Sequence, residues 1–525
     1  MSPLEPLVRL VPVQAQPPSL GDNTADLDRL RRALLRPLQD RWPLTPLTRA
    51  GLVAERFRQA GFAGLAVVND LAVGPELVDF LPERPAHLAA MALDLGTTHL
   101  EASLLDLLTG RCLARATREN PQIEFGADIL ARIHFAARAG NGAGEDGLNI
   151  LHSRIIAAIN ELAVDLAGKA LMQAADIRAL AVAGNTTMVH FFLRLNTYHL
   201  CREPYIPQVN APDPFRAGEL GLGIHPAATV WVLPSVGSYF GGDLIAGILA
   251  SGLDQSEKTC MLIDVGTNAE VVVGNRDWLV ACAGAAGPAL EGGVARMGMR
   301  AEPGAIEHLE IDPESGALSY ATIGGSAARG ICGSGIIDLV AGFYLARLID
   351  IRGKFRPTRA VAPGRFIEQP DGLAFVVVPA SESASGRPVL LSQVDLDALM
   401  RSKAAMYAIL STLVNQVGLS FNQLHRIYVA GAFGGHIDPR QAIILGMLPD
   451  LPLEIYQPVG NSSLAGAEGI LVDRGLRQRC HEVVRKITYI ELNVNQEFMS
   501  RFSGSRFIPH TDHALFPSVP FFSET

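Results

Sequence analysis

The sequence predicts an α/β protein of two similar lobes, preceded by a small, separate α/β domain. Three observations carry this. A strand–turn–strand unit occurs twice, as Asp94-Leu-Gly-Thr-Thr and Asp264-Val-Gly-Thr-Asn, each followed by helical segments. From Met91 onward, apolar runs of strand length alternate with stretches of helical periodicity. A Pro-rich segment, Leu81-Pro-Glu-Arg-Pro-Ala, sets off everything before it. The expected divisions are 1–88, 89–257 and 258–525, the last ending in a return segment.

The first division opens extended and Pro-rich. A helix is expected over 24–38, with Asp26, Asp28, Arg29, Arg31 and Arg32 on a solvated face. A second helix, around 52–60, leads into a strand at 64–70. In the second division, 91–95 is a buried strand, 101–107 alternates as its partner, and 106–110 is a turn. Helices come next at about 127–139 and 147–172; in the latter Leu148, Leu151, Ile155, Ile159, Leu162 and Leu166 share one face. A strand at 179–184 and an apolar helix at 243–250 complete it.

The third division repeats the opening: a strand at 261–265, a tight turn Gly266-Thr-Asn, and strands at 270–273 and 278–282. Gly330-Ile-Cys-Gly-Ser-Gly335 opens a helix at 336–349. The stretch 351–390, rich in Pro, Arg, Gly and Ser, reads as a loop or hairpin excursion. A long helix runs from Ser392, an N-cap, to Val417. The strand Arg426–Ala430 then ends in Gly431-Ala-Phe-Gly-Gly435.

Composition excludes several classes. With 48% hydrophobic and 18% charged residues the 525-residue chain can bury a large core. A net charge of -9 argues against bulk nucleic-acid binding, which needs a basic surface. The six cysteines (112, 201, 260, 282, 332 and 480) are scattered singly with no CxxC, so no zinc finger, thioredoxin motif or iron–sulfur loop is expected. No apolar stretch is long enough to span a bilayer, and the start lacks the pattern of a secretory signal. The expectation is a soluble, cytoplasmic protein with no nucleic-acid or membrane partner.

The two Asp-X-Gly-Thr turns carry the chemistry. Gly after a strand lets the backbone turn sharply beside a ligand, and turn N–H groups and Thr hydroxyls donate to phosphate oxygens. Asp just before it sits at the strand's C-terminal end, where ligands bind in α/β sheets. Asp94, Gly96, Thr97 and Thr98 from one lobe and Asp264, Gly266, Thr267 and Asn268 from the other are expected to grip one polyphosphate, with Asp94 and Asp264 facing its Mg²⁺ directly or through water. The small residues Gly431, Ala432 and Gly434 leave room for the flat ring of adenosine, against the alternative of a strand–helix packing turn. Gly333, in the Gly-rich turn that opens a helix, is either a phosphate or ribose contact or a packing residue.

The order of phosphate turn, helix, phosphate turn and adenosine turn resembles the acetate and sugar kinase, heat-shock chaperone and actin superfamily, over residues 91 to about 475. The resemblance implies a two-lobed actin-like ATPase fold with duplicated ribonuclease-H-like lobes. It also implies that Asp243, at the start of a helix lining the cleft, orients the attacking water or a metal-bound water; the alternative is an aspartate complementing the helix dipole.

A closer resemblance is to reductive activators of corrinoid proteins. It rests on Asn120-Pro-Gln…Phe125-Gly-Ala-Asp128, Gly184-Asn-Thr-Thr-Met188, Leu233-Pro-Ser-Val-Gly237, Ala285-Ala-Gly-Pro-Ala-Leu-Glu-Gly-Gly293, Gly298-Met-Arg-Ala-Glu-Pro-Gly-Ala-Ile306, Gly330-Ile-Cys-Gly-Ser-Gly335 and Gly460-Asn-Ser-Ser-Leu-Ala-Gly-Ala467. Pro17-Pro-Ser-Leu-Gly-Asp-Asn-Thr-Ala-Asp-Leu-Asp-Arg-Leu resembles that family's linker-like domain. The resemblance implies an ATP-hydrolysing activator that returns a cobalamin-dependent methyltransferase protein from Co(II) to Co(I), with Asp94, Asp243 and Asp264 as its catalytic carboxylates.

Typical members carry a 2Fe–2S ferredoxin domain. Here no cysteine precedes Cys112, so no iron–sulfur cluster is expected in this chain, and a separate ferredoxin or flavoprotein is expected to supply electrons. Homodimerisation is left open. The rival readings are a small-molecule kinase of the same superfamily and a nucleotide-gated binding module. Lesser expectations are a small buried Cys332, core-packed Cys260 and Cys282 on neighbouring strands, a packed or solvated His510 and His513, and a Lys403 that is solvated or reaches the nucleotide.

Overall fold

The computed structural model describes residues 4–126, 128–138, 146–266, 268–285, 297–299, 301–357, 364–370, 372–434, 436–492 and 495–522. The chain groups into two units, residues 1–250 with 463–485, and 251–462 with 486–525.

The first unit begins with a three-stranded antiparallel sheet, β1 (Val8–Gln14), β2 (Ala63–Leu71) and β3 (Gly74–Leu81), with β2 in the middle. Helices α1 (Asp26–Leu35) and α2 (Leu47–Gln59) cover one face. Phe57 meets Phe62 and Phe80 edge-on, with centroids 5.1 and 5.2 Å apart, in a core of Leu30, Leu34, Val53 and Leu77. Two expectations need correction. The β1 and β3 strands complete a sheet of which sequence patterning revealed only β2. Arg29 is not solvated: it is buried, pairs with Asp22 at 2.5 Å and donates to Gln16 O at 3.1 Å, tying down the Pro-rich opening segment.

A second sheet comes next: β4 (Ala89–Leu95), β5 (His99–Asp106), β6 (Arg111–Glu119), β7 (Ile177–Gly184), β8 (Phe215–Arg216) and β9 (Thr229–Val232), in the order β6-β5-β4-β7-β9-β8. The β4, β5 and β6 strands form an antiparallel meander, and β7 and β9 run parallel to β4. Its helices are α3 (Ile129–Ala136), α4 (Gly147–Lys169), α5 (Thr186–Phe192) and α6 (Gly242–Ser251). Along α4, Leu151, Ile155, Ile159, Leu162 and Leu166 are buried and Leu148 partly so, as the periodicity requires. Each such side chain contributes about 2 kcal/mol of burial.

The small sheet is joined to this larger one through one carboxylate. Asp79 of β3 is fully buried and lies 3.3 Å from Arg49 and 2.5 Å from Arg56, beside Arg178 of β7, with His225 at 3.5 Å. A hydrogen bond from His225, the Arg178 guanidinium and the Phe80 N–H hold its carboxyl well below the usual range despite its burial.

The second unit repeats the pattern. Its main strands are β10 (Cys260–Val265), β11 (Asn268–Gly274) and β12 (Leu279–Ala285), an antiparallel meander like the first. A smaller sheet of β13 (Ala305–Ile311), β14 (Leu318–Thr322) and β15 (Gly330–Ile331) leads into α7 (Gly333–Leu345). The expected excursion is a hairpin, β16 (Phe366–Gln369) and β17 (Gly372–Val378), extended by β18 (Val389–Ser392). Then come α8 (Gln393–Gln416), β19 (Arg426–Ala430), α9 (Gly431–Gly434), α10 (Pro439–Leu445) and β20 (Tyr456–Gly460). The chain ends through α11 (Ser462–Val472), α12 (Arg474–Lys486), β21 (Ile487–Ile490) and α13 (Gln496–Gly504). The main sheet has the order β20-β19-β10-β11-β12-β21, with β19 parallel to β10 and β20 parallel to β19. Ser392 caps α8 as expected: its hydroxyl accepts from Asp395 N at 3.2 Å, and Asp395 accepts from Ser392 N at 2.9 Å.

Two cysteine and lysine expectations change. Cys260 and Cys282 are buried, but β11 runs between their strands, facing Cys260 with Gly274 and Cys282 with Val271. Lys403, in the middle of α8, is fully buried, neither solvated nor reaching toward a ligand. Its ammonium donates to Phe507 O and, at 2.7 Å, to Pro509 O, fastening the C-terminal segment beside Tyr407, His510 and Phe516. Among the described residues no helix is long and apolar enough to cross a membrane.

Lys403→Met should leave two buried carbonyls without their donor. It is expected to lower stability by about 2–4 kcal/mol and to make 505–522 an early site of limited proteolysis. An unchanged Tm and cleavage pattern would mean that apolar contacts alone hold the segment.

Candidate functional site

Each sheet puts its repeated aspartate at the equivalent position of its own central strand. Asp94 is the penultimate residue of β4, opposite Glu101 on β5 and beside Ala183 on the parallel β7. Asp264 is the penultimate residue of β10, opposite Glu270 on β11 and beside Ala430 on the parallel β19. The repeat seen as two short motifs therefore extends to strand order, strand direction and register.

In the first unit the turn after Asp94 is braced from three directions. A Cβ on Gly96 would lie 2.4 Å from His99 O, so the backbone closes here only with glycine. Asn120 donates to Gly96 O at 2.9 Å, and Asn185 donates to Thr97 Oγ1 at 3.1 Å. Asn185 also caps α5 by accepting from Met188 N at 2.9 Å, so one side chain fixes both the turn and the helix after β7. Asp94 itself accepts from Ser463 Oγ at 2.8 Å. Gly96, Thr97 and Thr98 remain part-exposed.

Ser463 arrives on α11, whose Gly466 lies so close to Ala246 of α6 that a Cβ would meet it at 2.5 Å. That contact sets α11 against α6, and α6 carries Asp243 in its first turn. Asp243 accepts from its neighbour Leu244 N at 2.8 Å. Burial, aided by the like charge of Asp94, pushes its carboxyl up to about 7. The structure thus brings Asp94 and Asp243 together as two interacting carboxylates, one hydrogen-bonded by a serine and one poised to change protonation near neutrality.

In the second unit Asp264 meets the small-residue turn. Gly431 has φ +86, and a Cβ there would be 2.7 Å from Asp264 Oδ1 and 2.7 Å from Val265 O. Both the left-handed backbone and the clearance call for glycine. Gly434 lies on the other side of the same short helix, where a Cβ would meet Val429 at 2.8 Å, so this glycine has a packing reason as well. Gly266 is part-exposed. Gly333 is buried at the start of α7, and its neighbour Gly335 is pressed onto Ile306 O, where a Cβ would stand at 2.3 Å. Cys332 is buried against the same carbonyl.

Thr267 lies outside the described residues, as do the side chains of Asn268 and Ala432, Gly435, residues 286–293 of the block beginning at Ala285, and Arg300 of the block beginning at Gly298.

Three supporting residues lie outside the expected set of site residues: Asn120, Asn185 and Ser463. Each falls in a block that carries the family resemblance, but hydrogen bonds between residues 24, 88 and 369 positions apart have no local periodic signature. Among the described residues no group of three or more His, Cys, Asp or Glu side chains is arranged to hold a metal ion.

Comparison with known proteins covers nearly the whole chain. Residues 258–520 match the family described as the C-terminal domain of RACo, the ASKHA domain; residues 89–256 match the RACo middle region and 2–79 the RACo linker region. The corrinoid activation enzyme RamQ of Eubacterium limosum is 32% identical over 487 residues, 91% of this chain and 79% of that protein. The Co(II) methylated amine-specific corrinoid protein reductase of Methanosarcina barkeri is 25% identical over 431 residues, 76% of this chain and 72% of that one. The solved structure of a reductive activator for corrinoid,iron-sulfur protein superposes with a TM-score of 0.90 at 37% identity, covering 98% of this chain and 81% of the other. The fold is accordingly the mixed α/β, actin-like ATPase fold expected from the paired turns.

The raised Asp243 has a stability consequence. The folded chain holds this proton more tightly than the unfolded chain, so its contribution is fully present below about pH 4 and is lost as pH rises to about 7. Asp243→Asn should remove that loss, so that from pH 4.5 to about 7 the variant's urea midpoint gains steadily on the wild type and then levels off up to pH 8. A constant difference across that range would show that Asp243 is ionised throughout.

Proposed function

The chain belongs to the RACo family of reductive activators, and we propose from that membership that it is an ATP-hydrolysing activator returning a corrinoid protein from Co(II) to Co(I). The observation that carries the reading is the placement of Asp94 and Asp264 at equivalent ends of two like sheets, each succeeded by a part-exposed glycine turn.

In this reading Gly96, Thr97 and Thr98, with Gly266, Thr267 and Asn268, bind phosphate oxygens through backbone N–H groups and hydroxyls. Gly431, Ala432 and Gly434 receive the adenine ring, and Gly333 contributes at the ribose or phosphate. The donor set suits Mg²⁺: carboxylate oxygens, few in number, with no thiolate or imidazole among them. Asp94 and Asp264 would hold the ion. When bound, it neutralises charge on the phosphates. Asp94 is kept oriented by Ser463, and Asp243, protonated or ionised within the neutral range, orients the attacking water and takes its proton.

The redox step is a one-electron reduction of the partner's cobalt, Co(II) to Co(I). The electron comes from a separate donor, a ferredoxin or flavoprotein. ATP binding and hydrolysis supply the conformational work that makes the transfer attainable. That two relatives are named as a corrinoid activation enzyme and a corrinoid protein reductase supports this partner class.

Visible spectroscopy tests the reading directly. With a corrinoid protein, a low-potential reductant and Mg·ATP, the Co(II) band should give way to that of Co(I), and omission of ATP should stop the conversion. Asp264→Ala should lower ATP hydrolysis by at least about 100-fold. Hydrolysis at the wild-type rate would remove Asp264 from the metal site. Stimulation by a small alcohol or acid, and not by a corrinoid protein, would make the chain a small-molecule kinase; nucleotide binding with no turnover would make it a nucleotide-gated binding module.

A further inference from the structure

Arg132 on α3 is buried without a counter-ion. Its side chain is fully enclosed; Nε donates to Gly126 O at 2.8 Å, Nη1 points at Met188 Sδ at 3.6 Å, and Nη2 has no hydrogen-bond partner. No carboxylate among the described residues makes an ion pair with it. Asp128 acts on it through space, but that carboxylate is exposed and caps α3 by accepting from Ala131 N at 2.7 Å. A thioether is a weak acceptor, so the guanidinium is close to uncompensated. An unpaired buried charge is among the costlier features a fold can keep.

Its neighbours say what the charge faces. Met188 Sδ is also 4.0 Å from Asn120 Nδ2, and that amide donates to Gly96 O at 2.9 Å. Arg132, Met188 and Asn120 thus stand in series behind the Asp94 turn, and all three are fully buried. Two sequence blocks that also supply the braces of that turn, Asn120–Asp128 and Gly184–Met188, contribute every member of this series except Arg132 itself.

The geometry points to Arg132 as an electrostatic positioning residue: a fixed positive charge, held in low dielectric behind the Gly96–Thr98 turn, that is compensated only when a polyphosphate occupies that turn. This rests on the turn being the phosphate site proposed above. Three contacts in series put the charge on the order of 10 Å from the turn. At an effective dielectric of about 20 a single charge pair at that distance is worth roughly tenfold in binding. The path runs through three fully buried side chains, so the field is screened less than it would be at the surface.

The test is a ligand-charge series on the full chain, with adenosine, ADP, ATP and inorganic tripolyphosphate titrated by calorimetry against wild type, Arg132→Met and Arg132→Lys. Arg132→Met should bind adenosine within about twofold of wild type, ADP less well, and ATP and tripolyphosphate about tenfold less well. Its ligand-free Tm should be unchanged or higher, because a buried charge has been removed. Arg132→Lys should restore most of the polyphosphate affinity.

A loss of equal size for adenosine and ATP, or no loss for ATP, overturns the inference, as does a fall in ligand-free Tm with no dependence on ligand charge. If Arg132→Met does not fold, Arg132→Gln against Arg132→Lys gives the same comparison. Wild type that binds tripolyphosphate but not adenine nucleotides would overturn the proposed ATPase and leave Arg132 to be judged on tripolyphosphate. Wild type that binds neither overturns both.

Discussion

A carboxylate at the end of a buried strand carries a desolvation cost that the chain around it has to offset, and each unit of this protein is arranged around that cost. Asp94 and Asp264 stand where a central strand leaves its sheet. Behind them the backbone is apolar and paired on both sides; ahead of them the chain turns on glycine. Asp94 receives a hydroxyl from Ser463, and Asp264 is approached so closely by Gly431 that no side chain fits between. The surroundings of each aspartate are therefore fixed by backbone clearance and by a few polar side chains, with little slack. Asp243 shows the same constraint from the other side: its burial and the like charge of Asp94 push its carboxyl toward neutrality.

The duplication explains why so few residues suffice. An antiparallel meander joined to two parallel strands occurs once per unit, and the register puts an alanine of a parallel strand, Ala183 or Ala430, beside each aspartate. A small neighbour at that position leaves space at the strand ends. The units diverge at the turn after that parallel strand. After β7 the chain turns on Asn185, which binds Thr97 and caps a helix; after β19 it turns on Gly431, which clears a space. One architecture thus presents a hydroxyl-bearing turn in the first unit and, in the second, a glycine backbone with no room for a side chain.

Buried charge recurs away from the strand ends, and each instance joins segments distant in sequence. Asp79 gathers Arg49, Arg56, Arg178 and His225, so the small N-terminal sheet and the larger sheet of the first unit share one ionic joint. Lys403 fastens the C-terminal segment to α8 through two carbonyls. Such groups are poor sources of net stability but are costly to break, so they select one arrangement among many of similar apolar burial. Arg132 differs from them in keeping one guanidinium nitrogen, Nη2, buried without a hydrogen bond.

Much of the molecule was readable from local pattern. The apolar runs of β4, β7, β10 and β19, the buried face of α4, the Ser392 cap and the two glycine turns are dictated by residues within a few positions of one another, and periodicity or turn chemistry reports them. The strands β1, β3 and β6 were not, because their side chains do not alternate cleanly. Arg29, Lys403 and Arg132 read as solvated or went unremarked, since nothing near them in sequence tells where a long cationic side chain will end. By itself the sequence determined the paired aspartate turns, the order of the elements and the family they belong to. Only the tertiary structure decided that Ser463, Asn185 and Asn120 brace the first turn, that Asp94 and Asp243 act on each other, and that Lys403 and Arg132 are buried. Those are contacts between segments far apart along the chain, and they exist only once each sheet has brought its strand ends together.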